Sequence, residues 1–141
     1  ELQTIKHYLK VQEIRYGQTF EYIENIHSEC LDYLIPRMTL QPLFENIFFH
    51  AFEDGEGSIE LVVTVKPEYL ELTLADNGKG MNEESIEKLL NPNHHGGNGR
   101  GIGVYNVDQR IRLHFGNEYG LSIESVVGVK TIFSIKWPKR R

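Results

Sequence analysis

Apolar residues recur in the first part of the chain at the spacing of a helix. In residues 1–17 they lie three, four or seven positions apart, which predicts one apolar face of a helix that ends at Gly17. The positions on this face are Leu2, Ile5, Leu9 and Tyr16. Because the helix is short and polar on its other side, we expect it to be the end of a longer one. A first strand is predicted next, with Phe20, Tyr22 and Ile26 as its apolar positions.

A second helix is predicted after a loop. Thr39 is a suitable N-cap, and Pro42 fits the first turn because its missing N–H would have no partner there anyway. Asp54-Gly55 and Gly57 would end this helix. Its apolar face, again at helical spacing, consists of Leu40, Leu43, Phe44, Ile47 and Ala51.

Two stretches in which apolar and polar residues alternate come next, and they predict a β-hairpin. The stretches cover residues 59–65 and 70–74, with a turn at residues 66–68 between them. The apolar positions that would face the core are Ile59, Leu61, Val63, Val65, Leu70, Leu72 and Leu74.

The rest of the chain is predicted to hold two helices and two strands. Asn82 can cap the first of these helices, Pro92 closes it off, and residues 91–100 have the composition of a mobile loop. The predicted elements are helices over 83–90 and 103–114 and strands over 121–126 and 131–137. Hairpin strands with helices on one side predict an α/β fold, namely a two-layer sandwich with a mixed, mostly antiparallel sheet.

Length and composition narrow the class of protein. The 141 residues, 40% hydrophobic and 25% charged, fit one globular domain with a core of its own. A net charge of −5 argues against a nucleic-acid-binding face. The single cysteine, Cys30, excludes an internal disulfide framework. No apolar run approaches the roughly 20 residues of a membrane span. Because the chain opens without Met on a helical pattern, we expect it to be a fragment.

The first motif with chemical potential is Asp76-Asn77-Gly78-Lys79-Gly80, which follows the second hairpin strand. At the end of a strand the Asp76 carboxylate would reach into a cleft, where it could accept a hydrogen bond from the exocyclic amine of adenine. The two glycines allow a ligand to approach the backbone closely. The alternative is an ordinary Asn-Gly turn after a strand, since short motifs also occur by chance.

The second motif is the glycine-rich segment 99–104, which leads into a predicted helix. Backbone N–H groups and a partial positive charge at a helix N-terminus suit a phosphate. The segment lacks the Gly-Lys-Ser/Thr ending of a P-loop, and it follows a polar loop where a dinucleotide fingerprint would follow a strand. The alternative is a flexible loop closed by glycines.

The third motif is Glu45-Asn46 on the second predicted helix. The helical spacing predicts that Asn46 lies off the apolar face, on a stripe with Phe49 and His50. An amide oxygen is a suitable hard ligand for Mg²⁺, which commonly bridges to phosphates. The alternative is a surface Glu-Asn pair.

In combination these residues resemble a known superfamily. Their order resembles the asparagine box, the two glycine boxes and the final threonine of the GHKL ATPases. That order is Asn46, then Asp76 with its two glycines, then Gly101 and Gly103, then Gly128 and Thr131. Three longer segments look like the LytS/YesM-type sensor histidine kinases, and they are residues 8–16, 40–46 and 101–111. The resemblance covers nearly the whole chain, and the combination is specific although each box alone is weak.

The resemblance implies a Bergerat-type sandwich that uses ATP and Mg²⁺. Residues 18–141 would be the ATP-binding catalytic domain with a lid at about 81–100, and residues 1–17 would end the dimerisation region or connect to it. The domain would transfer the γ-phosphoryl of ATP to a histidine on a separate helical domain, which then passes it to a response regulator. The parent protein would be membrane-anchored and dimeric, with this domain in the cytoplasm.

The resemblance also implies roles for single residues. Asn46 would hold Mg²⁺ against the triphosphate, and Glu45 beside it would be the second catalytic candidate. Asp76 would bind the adenine amine, and the hydroxyl of Thr131 would support the adenine end. The other positions implied to contact the nucleotide are His50, Gly78, Gly80, Met81, Arg100, Gly101, Ile102, Gly103 and Val104.

The chain departs from the family pattern at several positions. Phe49 stands where a phosphate-contacting Lys is common, so that a cation would come from Arg100, from Lys79 or from no residue at all. Pro42 stands where many relatives carry Glu or Asn, and Lys130 stands where Gly is usual.

Two alternatives to a histidine kinase therefore stay open. The departures favour a degenerate nucleotide-binding or scaffolding domain. A different GHKL ATPase, such as an anti-sigma-factor serine kinase, is the other alternative, and residues 8–16 argue against it.

Overall fold

The computed structural model describes residues 2–16, 21–27, 40–47, 57–91 and 102–139. Several predicted features lie outside these ranges. They are the helix end at Gly17, the strand position Phe20, the N-cap Thr39, the apolar position Ala51, the helix end at Asp54-Gly55, the stop at Pro92 and the loop residues 92–100.

The described residues form one five-stranded sheet with the order β1-β2-β3-β5-β4. Strand β1 pairs with β2 in parallel, and the β2–β3, β3–β5 and β4–β5 pairs are antiparallel. The strands are β1 (Glu21–Ile26), β2 (Ser58–Val65), β3 (Tyr69–Asp76), β4 (Gly120–Val126) and β5 (Lys130–Pro138). The sequence-based expectation of a mixed, mostly antiparallel sheet, with its hairpin at β2–β3, is confirmed.

Four helices belong to the described residues. They are α1 (Leu2–Tyr16), α2 (Leu40–Asn46), α3 (Glu83–Leu89) and α4 (Ile102–Phe115). The predicted N-cap of α3 is confirmed, because the Asn82 side chain accepts a hydrogen bond from the Ser85 N–H at 2.8 Å. None of these helices combines the length and the apolar character that a membrane-spanning segment requires.

Alternation along the strands places the core on one face of the sheet. Leu70, Leu72 and Leu74 are buried while the residues between them are half-buried, so only one side of β3 is fully covered. The helices contribute apolar side chains to the same cluster, which are Ile5, Leu9, Leu40, Leu43, Phe44, Ile47, Leu89, Val104, Val107 and Ile111. This helix-covered face is the inner face of a two-layer α/β sandwich, and each fully buried Leu or Ile contributes roughly 1.5–3 kcal/mol.

A buried carboxylate fixes α4 to the start of β4. Asp108 is 4% exposed, and its Oδ1 accepts hydrogen bonds from the Leu121 N–H at 2.8 Å and from Arg112 Nε at 2.9 Å. Arg112 also donates to the Asn117 carbonyl at 2.8 Å. The second half of α4 is therefore anchored to the turn and strand that follow it.

We expect Asp108→Ala to lower the free energy of unfolding by about 2–4 kcal/mol, because the buried Leu121 N–H would lose its acceptor. Arg112→Ala should cost only about 1 kcal/mol, since the Arg112 side chain is 35% exposed and Asp108 keeps its bond to Leu121. Urea unfolding of the wild type and both variants measures the two losses. Equal losses in the two variants would contradict this account of the anchor.

Candidate functional site

Three polar side chains form a row across β3, β5 and β4. Asp76 at the end of β3 pairs with Thr131 on β5, which pairs in turn with Ser125 on β4. Asp76 and Thr131 continue the buried alternation of their strands onto the helix-covered face, and each is 4% exposed. Directly opposite residues have Cβ atoms about 4.5–5.5 Å apart, so the Asp76 carboxylate and the Thr131 hydroxyl are neighbours.

The Asp76 carboxylate has little compensation for its burial. In the described part of the chain it accepts a single side-chain hydrogen bond, from the Gly78 N–H to Oδ1 at 2.9 Å. Exclusion from water raises the pKa of Asp76 from 3.8 to about 6, and the Gly78 bond opposes this rise. The second carboxylate oxygen is therefore suited to a hydrogen-bond donor supplied by a ligand.

The turn after Asp76 is fixed on one side by the start of β2. Asn77 Oδ1 accepts from the Ser58 N–H at 2.8 Å, and the Asn77 N–H donates to the Ser58 carbonyl at 3.3 Å. This pair holds Asp76 and Gly78 in place against the sheet.

The same turn packs on its other side against the β4–β5 turn. Gly80 has a φ of 73°, and a Cβ there would overlap the carbonyl oxygen of Val126. The Gly128 N–H donates to the Lys79 carbonyl at 2.6 Å. Met81 is partly buried against the core. The structure thus brings together Asp76, Gly78, Gly80, Met81 and Thr131, all of which the sequence assigned to one site.

Sequence reasoning missed Ser125, which links this turn to β5. Its Oγ lies 2.7 Å from the Met81 N, 2.7 Å from the Lys130 carbonyl oxygen and 2.9 Å from Thr131 Oγ1. Leu121 and Ile123 precede it on the same face of β4, so a polar residue at an inward position of an alternating strand was the available signal.

Asn46 lies in a second part of the inner layer, at the end of α2. It is 8% exposed and therefore buried, although it lies outside the apolar stripe of α2. The physical reason is that α2 packs against both α1 and α4, which covers more of its circumference than the apolar stripe alone predicts. Among the described residues, Asn46 Oδ1 has no hydrogen-bond partner.

An unpaired, buried amide oxygen fits a magnesium ligand. Leaving such an acceptor unsatisfied costs about 1–3 kcal/mol, and a hard cation would remove that cost. The neighbouring Glu45 is half-buried and accepts a hydrogen bond from Gln41 Nε2 at 3.1 Å. The residues present therefore fit a bound cation next to Asn46.

The N-terminus of α4 comes close to α2. Ile102 is the first residue of α4, and a Cβ on Gly103 would lie 3.1 Å from the Pro42 Cβ. Glycine at position 103 thus permits the two helices to approach closely, in addition to exposing the first backbone N–H groups of α4. Val104 is buried in the core.

The predicted site residues therefore form two groups that border the same core. One consists of Asp76, Gly78, Gly80, Met81 and Thr131, and the other of Glu45, Asn46, Ile102, Gly103 and Val104. Three further predicted positions, His50, Arg100 and Gly101, lie outside the described residues.

Comparison with known proteins assigns the family. Residues 32–141 match the family described as histidine kinase-, DNA gyrase B-, and HSP90-like ATPase. The chain belongs to this ATPase family. The resemblance drawn from the asparagine, the two glycine-containing motifs and the threonine is thereby confirmed.

Sensor proteins are among the curated proteins to which the chain is similar. The chain is 34% identical over 127 residues to the sensor histidine kinase YesM of Bacillus subtilis, covering 89% of this chain and 21% of that protein. It is 32% identical over 142 residues to the sensor protein LytS of Bacillus anthracis, covering 99% of this chain and 24% of that protein. The chain thus spans less than a quarter of the length of these relatives.

Solved structures of the ATPase family share the fold. The catalytic domain of the histidine kinase ThkA, in a nucleotide-free form, superimposes with a TM-score of 0.72 at 16% identity, covering 97% of this chain and 90% of that one. A blue-light activated histidine kinase of Erythrobacter litoralis gives a TM-score of 0.64 at 20% identity, covering 96% and 40% of the two chains. The α/β sandwich of histidine kinase catalytic domains is confirmed.

The raised pKa of Asp76 predicts a stability effect with a defined sign. Because the folded pKa is about 6 and the usual value is 3.8, the ionised carboxylate opposes folding. This penalty is absent below the unfolded pKa, develops as the pH rises through about 4 to 6, and is constant above. We expect Asp76→Asn to be more stable than the wild type by about 1–3 kcal/mol at neutral pH, and no more stable near pH 4.

Urea unfolding between about pH 4 and pH 8 measures this difference. Glu60→Gln on the exposed side of β2 is the matched control and should show no such pH-dependent gain. An Asp76→Asn variant that is less stable than the wild type at neutral pH would contradict the assignment.

Proposed function

We propose that this chain is the ATP-binding catalytic domain of a sensor histidine kinase. In this proposal it binds ATP with Mg²⁺ and transfers the γ-phosphoryl to a histidine on a separate helical domain of the parent protein. A response regulator then receives the phosphoryl group. The observation that carries the proposal is the buried Asp76 carboxylate, with one described hydrogen bond, beside Thr131 in a member of this ATPase family.

At the base end, the row on the sheet would recognise adenine. The second oxygen of Asp76 would accept a hydrogen bond from the exocyclic amine, with the Thr131 hydroxyl beside it. The close packing at Gly80 leaves no room for a side chain at that position, and the partly buried Met81 would offer an apolar contact for the ring. A buried carboxylate with few hydrogen bonds is stabilised strongly by a ligand that donates another one.

At the phosphate end, residues of α2 and α4 would bind Mg²⁺ and the triphosphate. Asn46 Oδ1 would hold Mg²⁺, which when bound supplies positive charge to the triphosphate oxygens. The N-terminus of α4 at Gly103 would direct backbone N–H groups towards phosphate, and Lys79 or Arg100 would add a cation. Phosphoryl transfer depends mainly on alignment and charge stabilisation, so these groups need only position and neutralise.

The acceptor histidine would itself be the nucleophile. We assign Glu45 as the candidate group that takes up or orients the proton of the acceptor imidazole, because it adjoins Asn46 on α2 and is half-buried. Its hydrogen bond from Gln41 would fix the orientation of the carboxylate.

The parent protein would be a membrane-anchored dimer with this domain in the cytoplasm. Residues 18–141 would be the catalytic domain, with the lid at about 81–100, and residues 1–17 would continue into the dimerisation region. In support, α1 packs its Ile5 and Leu9 into the core while Val11 and Ile14 are 52% and 78% exposed. An amphipathic arrangement with leftover apolar positions suits a helix that also contacts a partner helix.

The ATP proposal is tested by titrating this 141-residue chain with nucleotide, with and without Mg²⁺. We expect Mg²⁺ to tighten ATP binding at least about tenfold, and Asn46→Ala to abolish that gain while leaving metal-free binding little changed. Asn25→Ala, an exposed asparagine on β1, is the matched control and should keep the magnesium effect.

Two outcomes would count against the proposal in different ways. A wild type that binds no ATP would favour the scaffolding alternative, which the departures from the family pattern at Pro42 and Phe49 also favour. Unchanged magnesium dependence in Asn46→Ala would refute the ligand assignment alone. For the transfer step, the test is phosphate labelling of the full-length parent dimer, in which Asn46→Asp should label much more slowly than the wild type.

A further inference from the structure

The hydrogen bonds around Ser125 allow only one arrangement of protons if all three are to form. A backbone N–H can only donate and a carbonyl oxygen can only accept, whereas a hydroxyl has one proton to give. Ser125 Oγ therefore accepts from Met81, at 2.7 Å, and gives its own proton to the Lys130 carbonyl, also at 2.7 Å.

This arrangement determines what Thr131 can do. Ser125 has no second proton, so the 2.9 Å contact between the two hydroxyls must use the proton of Thr131. With its proton held by Ser125, the Thr131 oxygen presents only lone pairs to its other surroundings.

We propose that Ser125 is a specificity-determining positioning residue, which makes the base end of the site a surface of hydrogen-bond acceptors. Asp76 and Thr131 are directly opposite each other, and both are almost completely buried. An ionised carboxylate and an acceptor-only hydroxyl can accept hydrogen bonds from an exocyclic amine at position 6 of a purine. They repel a carbonyl oxygen at the same position. The inference rests on the proposed nucleotide site and assigns it a preference for 6-amino purines over 6-oxo purines.

The contact to Met81 gives Ser125 a second effect on the same site. The bond ties β4 to the segment that follows the Asp76 turn, next to the close contact between Gly80 and Val126. Loss of the Ser125 hydroxyl would release both the Met81 N–H and the Thr131 proton. The freed Thr131 hydroxyl could then rotate and donate to a carbonyl oxygen.

The test compares binding of ATP and inosine triphosphate, which carries an oxygen in place of the amine. We expect the wild type to prefer ATP by at least about 100-fold, because a polar site rejects a ligand that leaves its buried groups unpaired. In Ser125→Ala the ratio of ATP affinity to inosine triphosphate affinity should fall about tenfold, because the loss of one hydrogen bond changes affinity by about that factor. Ser125→Thr, which keeps a hydroxyl, should restore it.

Ser122→Ala is the matched control, since Ser122 is an exposed serine on the same strand. It should leave the binding ratio unchanged. A readout without nucleotide accompanies the comparison: hydrogen exchange of the Met81 amide should be faster in Ser125→Ala and normal in Ser122→Ala and Ser125→Thr.

The other outcomes overturn the proposal. An unchanged ratio in Ser125→Ala, or equal weakening of both nucleotides, would show that Ser125 has only a structural role. Unchanged exchange of the Met81 amide would show that the bond to Ser125 does not form. A wild type that binds neither nucleotide would refute the proposed function itself, whereas binding of both with equal affinity would refute only the specificity assigned here.

Discussion

The exclusion of one carboxylate from water determines how this end of the sheet is arranged. Asp76 continues the row of buried leucines on β3, at a position where an apolar residue would be ordinary. A carboxylate there is costly, and the bond from Gly78 compensates for burial only in part, as the raised pKa of Asp76 shows. The neighbouring strands hold it in place none the less, because Asp76 pairs with Ile59 on β2 and with Thr131 on β5.

The two halves of α4 are held in different ways. The second half of α4 is fixed to β4 through Asp108, whose Oδ1 accepts two hydrogen bonds. The first turn of α4 instead lies against Pro42 of α2. One helix therefore combines a rigid attachment with an N-terminus whose backbone N–H groups can serve a ligand, which is what positioning a phosphate requires.

Local periodicity was sufficient to predict most of this fold. The β2–β3 hairpin and the buried faces of α2 and β3 follow from spacings of two and of three to four residues, and a cap such as Asn82 is a local feature. Spacing fails where burial depends on distant parts of the chain. Asn46 is buried because two other helices enclose α2, and no pattern within α2 records their presence.

The candidate site shows the same limit. The glycine-containing motif and Thr131 were found because they occur in a recognisable order, and the sheet register brings them together. Ser125 lies next to Thr131 as well. Its contacts with Met81 and Lys130 depend on the register of β4 against β5, which the sequence pattern does not reveal. A serine on a strand has an ordinary alternative explanation until its three partners are known.

Pro42 lies at a close contact between α2 and α4. A Cβ added at Gly103 would lie 3.1 Å from the Pro42 Cβ, so a side chain there would require Pro42 to shift by a few tenths of an ångström. Proline at this point brings no side-chain donor or acceptor, whereas Glu45 and Asn46 at the other end of α2 carry polar side chains. In the described part of the chain, Asn46 Oδ1 has no hydrogen-bond partner and the Asp76 carboxylate accepts one bond, and the two residues lie in different layers of the sandwich. A ligand that satisfied both would couple the helix layer to the sheet, and its binding energy would be used to order the domain as well as to hold the nucleotide.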